Sequence, residues 1–117
     1  MKVSVEHINP GAYLSQAVIH GDRVYLAGIT AQDKSQDVAG QTKQILAIID
    51  GLLAQASTDK SNLLTANIWL KDINDWARMN EVWSAWVVPG RAPARATVEA
   101  NMAKPDILVE IMIQAAR

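Results

Sequence analysis

The spacing of apolar residues changes along the chain, and each change marks an element. Over Leu64 to Leu70, Leu64, Ala66, Ile68 and Leu70 alternate with Thr65, Asn67 and Trp69. That two-residue period predicts a strand. Over Gln41 to Ala56, Ile45, Ile48, Ile49, Leu52, Leu53 and Ala56 recur at three- and four-residue steps, which gather on one face of a helix. A second helix carries Trp76, Met79, Val82, Trp83 and Trp86 on one side and stops before Pro89-Gly90. Asp72 or Asn74 can cap its start.

The N-terminal third reads as three strands. Lys2 to Ile8 alternates through Val3 and Val5, and Asn9-Pro10-Gly11 is turn chemistry. Tyr13 to Ala17 leads into a second strand that ends at His20. Gly21-Asp22 then forms a two-residue loop, and a glycine in its first position suits a type II′ hairpin. The return strand is Arg23 to Ala27, closed by Gly28. Ile29 to Gly40 and Ser57 to Asn62 lack periodicity and read as loops.

The last quarter, Arg91 to Ala116, holds two strand-like runs around a turn, Asn101 to Asp106, that contains Pro105. The first run sets Arg95, Thr97 and Glu99 against Ala96, Val98 and Ala100. The second, Ile107 to Ala115, is apolar on both faces except for Glu110 and Gln114. This predicts a strand buried on both faces. The order β, β-hairpin, α, β, α, β, β predicts an α/β (α+β) fold, a mixed sheet with two helices on one face. The helices cover one face only, so another copy of the chain is expected on the other.

Composition narrows the function classes. With 117 residues, half of them hydrophobic, a single domain spanning 1–117 is expected. The net charge is −1 and no basic run occurs, which argues against a nucleic-acid groove. Cysteine is absent, so disulfides, thiolate nucleophiles and cysteine-bound zinc are excluded. His7 and His20 have no metal-ligand spacing, and no metal is expected. No apolar run approaches the roughly 18 residues of a membrane span. Met1 to Pro10 lacks the apolar core of a secretion signal, so a cytoplasmic location is expected.

Two charged residues stand where apolar ones are expected. Arg95 and Glu110 lie on what the pattern presents as neighbouring, buried strands, and such groups are rarely buried unless paired or used. A guanidinium can grip a small carboxylate through two parallel hydrogen bonds. It can equally form an internal ion pair with Glu99 or Glu110. Glu110 can orient water or pass protons, or simply serve as that partner. Tyr13 can offer its hydroxyl to a ligand or cap the core. Asn80, a poor helix former in mid-helix, can hydrogen-bond across to another strand. The tryptophan stripe reads as packing.

Taken in order, these residues resemble the RidA/YjgF family of reactive-intermediate deaminases over nearly the whole chain. The resemblance runs through Tyr13 with Ser15-Gln16-Ala17-Val18, Val24-Tyr25-Leu26-Ala27-Gly28, Gln41-Thr42, Asp72-Ile73-Asn74-Asp75-Trp76 and Met79-Asn80-Glu81-Val82-Trp83. Its most specific part is Pro93-Ala94-Arg95-Ala96-Thr97-Val98-Glu99 with Val109-Glu110-Ile111. The resemblance implies a chorismate-mutase-like fold assembled as a homotrimer, with ligand clefts between subunits and no cofactor. It implies hydrolysis of 2-imino or enamine acids, such as 2-iminobutanoate and 2-iminopropanoate, to 2-oxo acids and ammonia. Arg95 would bind the substrate carboxylate and Glu110 would position water. Tyr13, Asn80, Ala27, Gly28 and Thr97 would line or support the cleft. Ala27 stands where the family often has serine, Thr97 where cysteine is frequent, Ile29 where glutamine is common and Ala12 where proline is usual. A non-catalytic carboxylate binder of the same fold is the alternative, and a ribonuclease is disfavoured by the acidic balance.

Overall fold

The computed structural model describes residues 2–117. Its elements are β1 (Val5–Pro10), β2 (Ser15–His20), β3 (Arg23–Leu26), α1 (Val38–Gln55), β4 (Leu63–Leu70), α2 (Trp76–Trp86), β5 (Ala94–Glu99) and β6 (Val109–Ala116). Short 3-10 turns at Lys60–Asn62 and Ile73–Asp75 precede β4 and α2. The predicted order of elements is the observed one. The Gly21-Asp22 loop is the expected tight hairpin, with His20 paired to Arg23 and Gly21 at a φ of 63°, where a side chain would be strained.

The six strands form one sheet in the order β1-β2-β3-β6-β4-β5. Only β4 and β5, joined through α2, run parallel. The C-terminal strand β6 inserts between β3 and β4, antiparallel to both. β5 and β6 are therefore not neighbours, contrary to the sequence expectation. The α2 crossover lays β5 beside β4 on its outer side, and the long 100–108 connection carries β6 to the other side of β4.

Both helices pack on one face. Ile45, Ile49, Leu52 and Leu53 of α1 and Met79 and Trp83 of α2 bury themselves against Ala17, Val24, Ile68, Leu70, Ile111 and Ile113 of the sheet. Each large aliphatic side chain removed from water in this layer contributes about 1.5–3 kcal/mol. α1 starts at Val38, three residues before the periodicity suggested, because Asp37 accepts a hydrogen bond from the Gly40 N–H at 2.9 Å and caps the first turn. Asp72 caps the 3-10 turn ahead of α2, and Asp75 at the α2 N-cap makes no side-chain cap bond.

The other sheet face is uncovered. β6 alternates buried Val109, Ile111, Ile113 and Ala115 with half-buried Glu110, Met112, Gln114 and Ala116. It is thus not enclosed on both faces within one chain, since the helices reach only one. Tyr25 and Val98 share this open face and are exposed.

Candidate functional site

Register places Arg95. It lies beside buried Ala66 on β4, and Thr97 lies beside buried Ile68, so both point to the helix-covered face at the sheet edge. Trp76, Asn80 and Trp83 follow one another at four- and three-residue steps along α2 and meet the guanidinium together. Arg95 Nη1 donates to Asn80 Oδ1 at 2.7 Å. The guanidinium carbon lies 5.4 Å from the Trp83 ring centroid and 5.8 Å from that of Trp76. Cation–π contacts at these distances hold the fork without consuming its donors.

Among the described residues, no carboxylate forms an ion pair with this charge. The ion pairs among the described residues are Arg78–Asp37 and Arg117–Glu6. Glu99, on the same face as Arg95, accepts instead from the Ile73 N–H at 3.0 Å. The expected internal ion pair with Glu99 or Glu110 is thus not formed. Burial lowers the pKa of Arg95 from its ordinary value, yet a guanidinium remains charged. Two residues along the strand, the Thr97 Oγ1 is buried with no hydrogen-bond partner. An orphaned buried hydroxyl costs about 1–3 kcal/mol, and this one lies beside a cation with donors to spare.

Glu110 lies elsewhere. It pairs with Trp69 across the β4–β6 ladder and alternates with buried Val109 and Ile111, which puts it on the open face. β4 stands between its strand and that of Arg95, and the sheet separates the two side chains. One chain therefore does not bring the guanidinium and the carboxylate together, contrary to the expected pair. The Glu110 carboxylate leans over Gly28: a Cβ built on that glycine would lie 2.2 Å from Oε2. Trp69, Met102, Ala103 and Glu110 line a depression of about 230 Å³ beside it.

Gly28, preceded by Ala27, lies by Glu110 rather than Arg95. Ala27 and Gly28 follow β3, where the Ala27 N–H donates to the Gln16 carbonyl at 2.9 Å. They line a second depression of about 180 Å³ with Leu14, Gln16 and Ile29. Tyr13 sits in the β1–β2 turn and is 100% exposed, so it caps no core in this chain. The site residues thus fall into two groups. Arg95, Thr97 and Asn80 surround the β5 edge, and Glu110, Gly28 and Ala27 adjoin the open face. Among the described residues, no group of three His, Cys, Asp or Glu side chains could hold a metal ion.

Two contributions escaped the sequence reading. The stripe pattern assigns Trp76 and Trp83 to packing alone, yet Asn80 stands between them at helical spacing and marks the face that meets the arginine. Gln41 has a fully buried side chain. Its Nε2 donates to the Asp106 carbonyl at 3.0 Å and its Oε1 accepts from the Leu108 N–H at 3.0 Å, which ties α1 to the approach of β6. Its sequence signals are a polar residue at the start of an apolar helix face and its place in the Gln41-Thr42 motif.

The family model described as Endoribonuclease L-PSP matches residues 5–117. A RutC family protein of Haemophilus influenzae is 43% identical over 114 residues, covering 97% of this chain and 98% of that one. The RutC family protein YoaB of Escherichia coli is 41% identical over 114 residues, with 97% and 99% covered. Among solved structures, a YjgF-family protein of Neisseria meningitidis superposes with a TM-score of 0.95 at 40% identity, covering 97% of this chain and 95% of that one.

Proposed function

The chain belongs to the endoribonuclease L-PSP (YjgF/RidA) family, and from that premise we propose that it hydrolyses small 2-imino or enamine acids to 2-oxo acids and ammonia. The observation that carries this reading is the state of Arg95. Its fork is held by an amide oxygen and two indoles, with no carboxylate of its own chain. Two charge-assisted hydrogen bonds to a substrate carboxylate, each about 1.5–3 kcal/mol, would complete it. The orphaned Thr97 hydroxyl adds a neutral donor or acceptor beside the same place.

The reaction asks little of the protein. A 2-iminium carbon is already electrophilic. Water adds to it while Glu110 accepts a proton, and the carbinolamine then collapses as that proton goes to the departing nitrogen and the hydroxyl proton passes to Glu110. Carbon–oxygen bonding replaces carbon–nitrogen bonding, and ammonia leaves. Orientation of the two reactants removes several kcal/mol of barrier without a strong nucleophile. Because Arg95 and Glu110 lie on opposite faces of one sheet, this mechanism needs a second copy. The guanidinium of one subunit and the carboxylate of its neighbour would then share a cleft, as in the homotrimer that the resemblance implies. The exposed open face supplies surface for that contact.

The test adds the protein to a pyridoxal-phosphate dehydratase reaction that releases 2-iminobutanoate and follows 2-oxobutanoate formation. Acceleration above buffer is expected. Arg95→Ala should lower it by at least about 100-fold, and Arg95→Lys should also be poor, because a point charge cannot replace the fork. No acceleration by the unaltered protein overturns the reading. Ala27, apolar beside Gly28, favours a second reading, in which the cleft binds 2-oxo acids without turnover. Calorimetric binding of 2-oxobutanoate in the absence of any rate effect would select it.

A further inference from the structure

On the side of the helices turned away from the sheet, α1 and α2 do not close on each other. A groove of about 360 Å³ runs between them, lined by Lys43, Leu46 and Ala47 of α1 and Val82, Ala85 and Trp86 of α2. The flat wall of this groove is fixed. The Trp86 indole N–H donates to both oxygens of Asp50 at 3.1 Å, and Trp83 packs against the ring with centroids 5.4 Å apart. Asp50, the acid of the groove, is thereby engaged. The Lys60 ammonium lies 5.4 Å from the Trp86 centroid, at one end. Lys43 is exposed and makes no ion pair among the described residues, although its charge is near enough to help lower the pKa of Asp37.

We propose that this groove is a binding site for a small aromatic monocarboxylate. The flat body would lie along Trp86, Val82 and Leu46, and its carboxylate would meet the Lys43 ammonium. The volume falls in the range of small-molecule sites, roughly 300–1,000 Å³, and the lining has the usual composition of such sites, mostly apolar with a few convergent polar groups. Charge sets the class of ligand. Lys43 and Lys60 both line the groove without an ion pair among the described residues; Lys60 stands over the Trp86 ring, which leaves Lys43 for the carboxylate, whereas Arg78 is taken by Asp37. Glu81 borders the groove just beyond Lys43 and disfavours a second negative charge there. The groove shares no lining residue with the surroundings of Arg95, although Trp83, which meets the guanidinium, also packs against Trp86.

The experiment titrates the intact, isotope-labelled protein with 1-naphthoate and follows the Trp86 indole N–H resonance. Saturable displacement is expected, with a Kd on the order of 1 mM or tighter for a ligand of this size. Lys43→Gln, an exposed change that leaves the fold intact, should weaken binding about fivefold or more. Ala85→Leu should fill the groove and abolish it, whereas Arg95→Ala should leave it unchanged. Failure here is therefore distinct from failure of the deaminase reading. The proposal is overturned if no saturable shift appears up to about 10 mM. It is also overturned if Lys43→Gln and Ala85→Leu both bind naphthoate as the unaltered protein does, which would place the ligand elsewhere, for example on the open sheet face.

Discussion

Gly28→Ala separates the position of Glu110 from the stability of the fold. The added Cβ would stand 2.2 Å from Oε2, 3.1 Å from Cδ and 3.4 Å from Cγ of Glu110. Ordinary contact begins near 3.4 Å, so the carboxylate must retreat by about 1.2 Å or change rotamer. The clash falls on the far end of a half-buried side chain rather than on backbone, and the open face gives it room to move. The fold should bear this cheaply. Gly28 does not have positive φ, so alanine is tolerated there and reduces the freedom of the unfolded chain by about 0.4–1 kcal/mol, which offsets much of the displacement. The melting temperature should therefore stay within about 5 °C of the unaltered protein. Turnover should respond far more strongly. Misplacement of a reacting group by about 1 Å can cost 100-fold, so 2-oxobutanoate release should fall by about two orders of magnitude. Thermal unfolding and the coupled dehydratase assay, run on one preparation, check both halves. An unaltered rate in a stable Gly28→Ala protein would refute the role given to Glu110. A fall in melting temperature well beyond 10 °C would instead locate the strain in the backbone.

Gly51 serves as the counter-case: it lies inside α1, and a Cβ there meets nothing within 4 Å. Gly51→Ala should raise stability by about 1 kcal/mol through helix propensity alone, seen as a rise of several degrees in the melting temperature. Asp37 caps α1 through the Gly40 N–H, and that bond, more than its pairing with Arg78, lowers its pKa. A carboxyl with a depressed folded-state pKa stabilises above the unfolded value and loses that contribution as pH falls through the folded one. Asp37→Ala should thus lower the melting temperature by a few degrees at pH 7, with the gap narrowing below about pH 4. A gap that is constant down to pH 2 would show that the ionised cap contributes nothing. Thr97→Val removes the orphaned hydroxyl and should leave the melting temperature equal or slightly higher, while calorimetry registers weaker 2-oxobutanoate binding.

The parts of this fold that were legible in the sequence are those whose cause is local. Alternation at Leu64 to Leu70, the helical stripe of α1 and the Gly21-Asp22 hairpin each depend on residues a few positions apart, and each formed within a few residues of where the pattern put it. Sheet order is set by long-range pairing, which no local pattern encodes. The runs around Arg95 and Glu110 are consecutive in the chain, and adjacency in sequence suggested adjacency in the sheet. The α2 crossover and the long 100–108 connection carry them to opposite sides of β4 instead. The one-residue phase of each strand then sends Arg95 toward the helices and Glu110 away from them. The two-faced apolar pattern of β6 carries the expectation of a second copy. Its apolar residues on both faces describe a strand covered twice, and one chain supplies only one cover.

The separation of Arg95 from Glu110 bears directly on the site. Had the two residues been neighbours on one face, Glu110 would have neutralised Arg95 and left a closed structural ion pair. The observed register forbids that. Glu99 is drawn off by the Ile73 N–H, so the guanidinium keeps its charge in a half-buried setting with only neutral groups around it. Desolvating a cation without a counter-ion is costly, and indole faces and one amide oxygen recover only part of that cost. An anion has to come from outside the chain for the balance to improve. A small carboxylate would supply that anion, and on the proposed reading a neighbouring copy would bring the water-positioning group. A second copy without a ligand would not balance the charge unless it placed its own carboxylate against Arg95. Calorimetry with 2-oxobutanoate decides between the two, because an arginine already neutralised across an interface would bind no added acid.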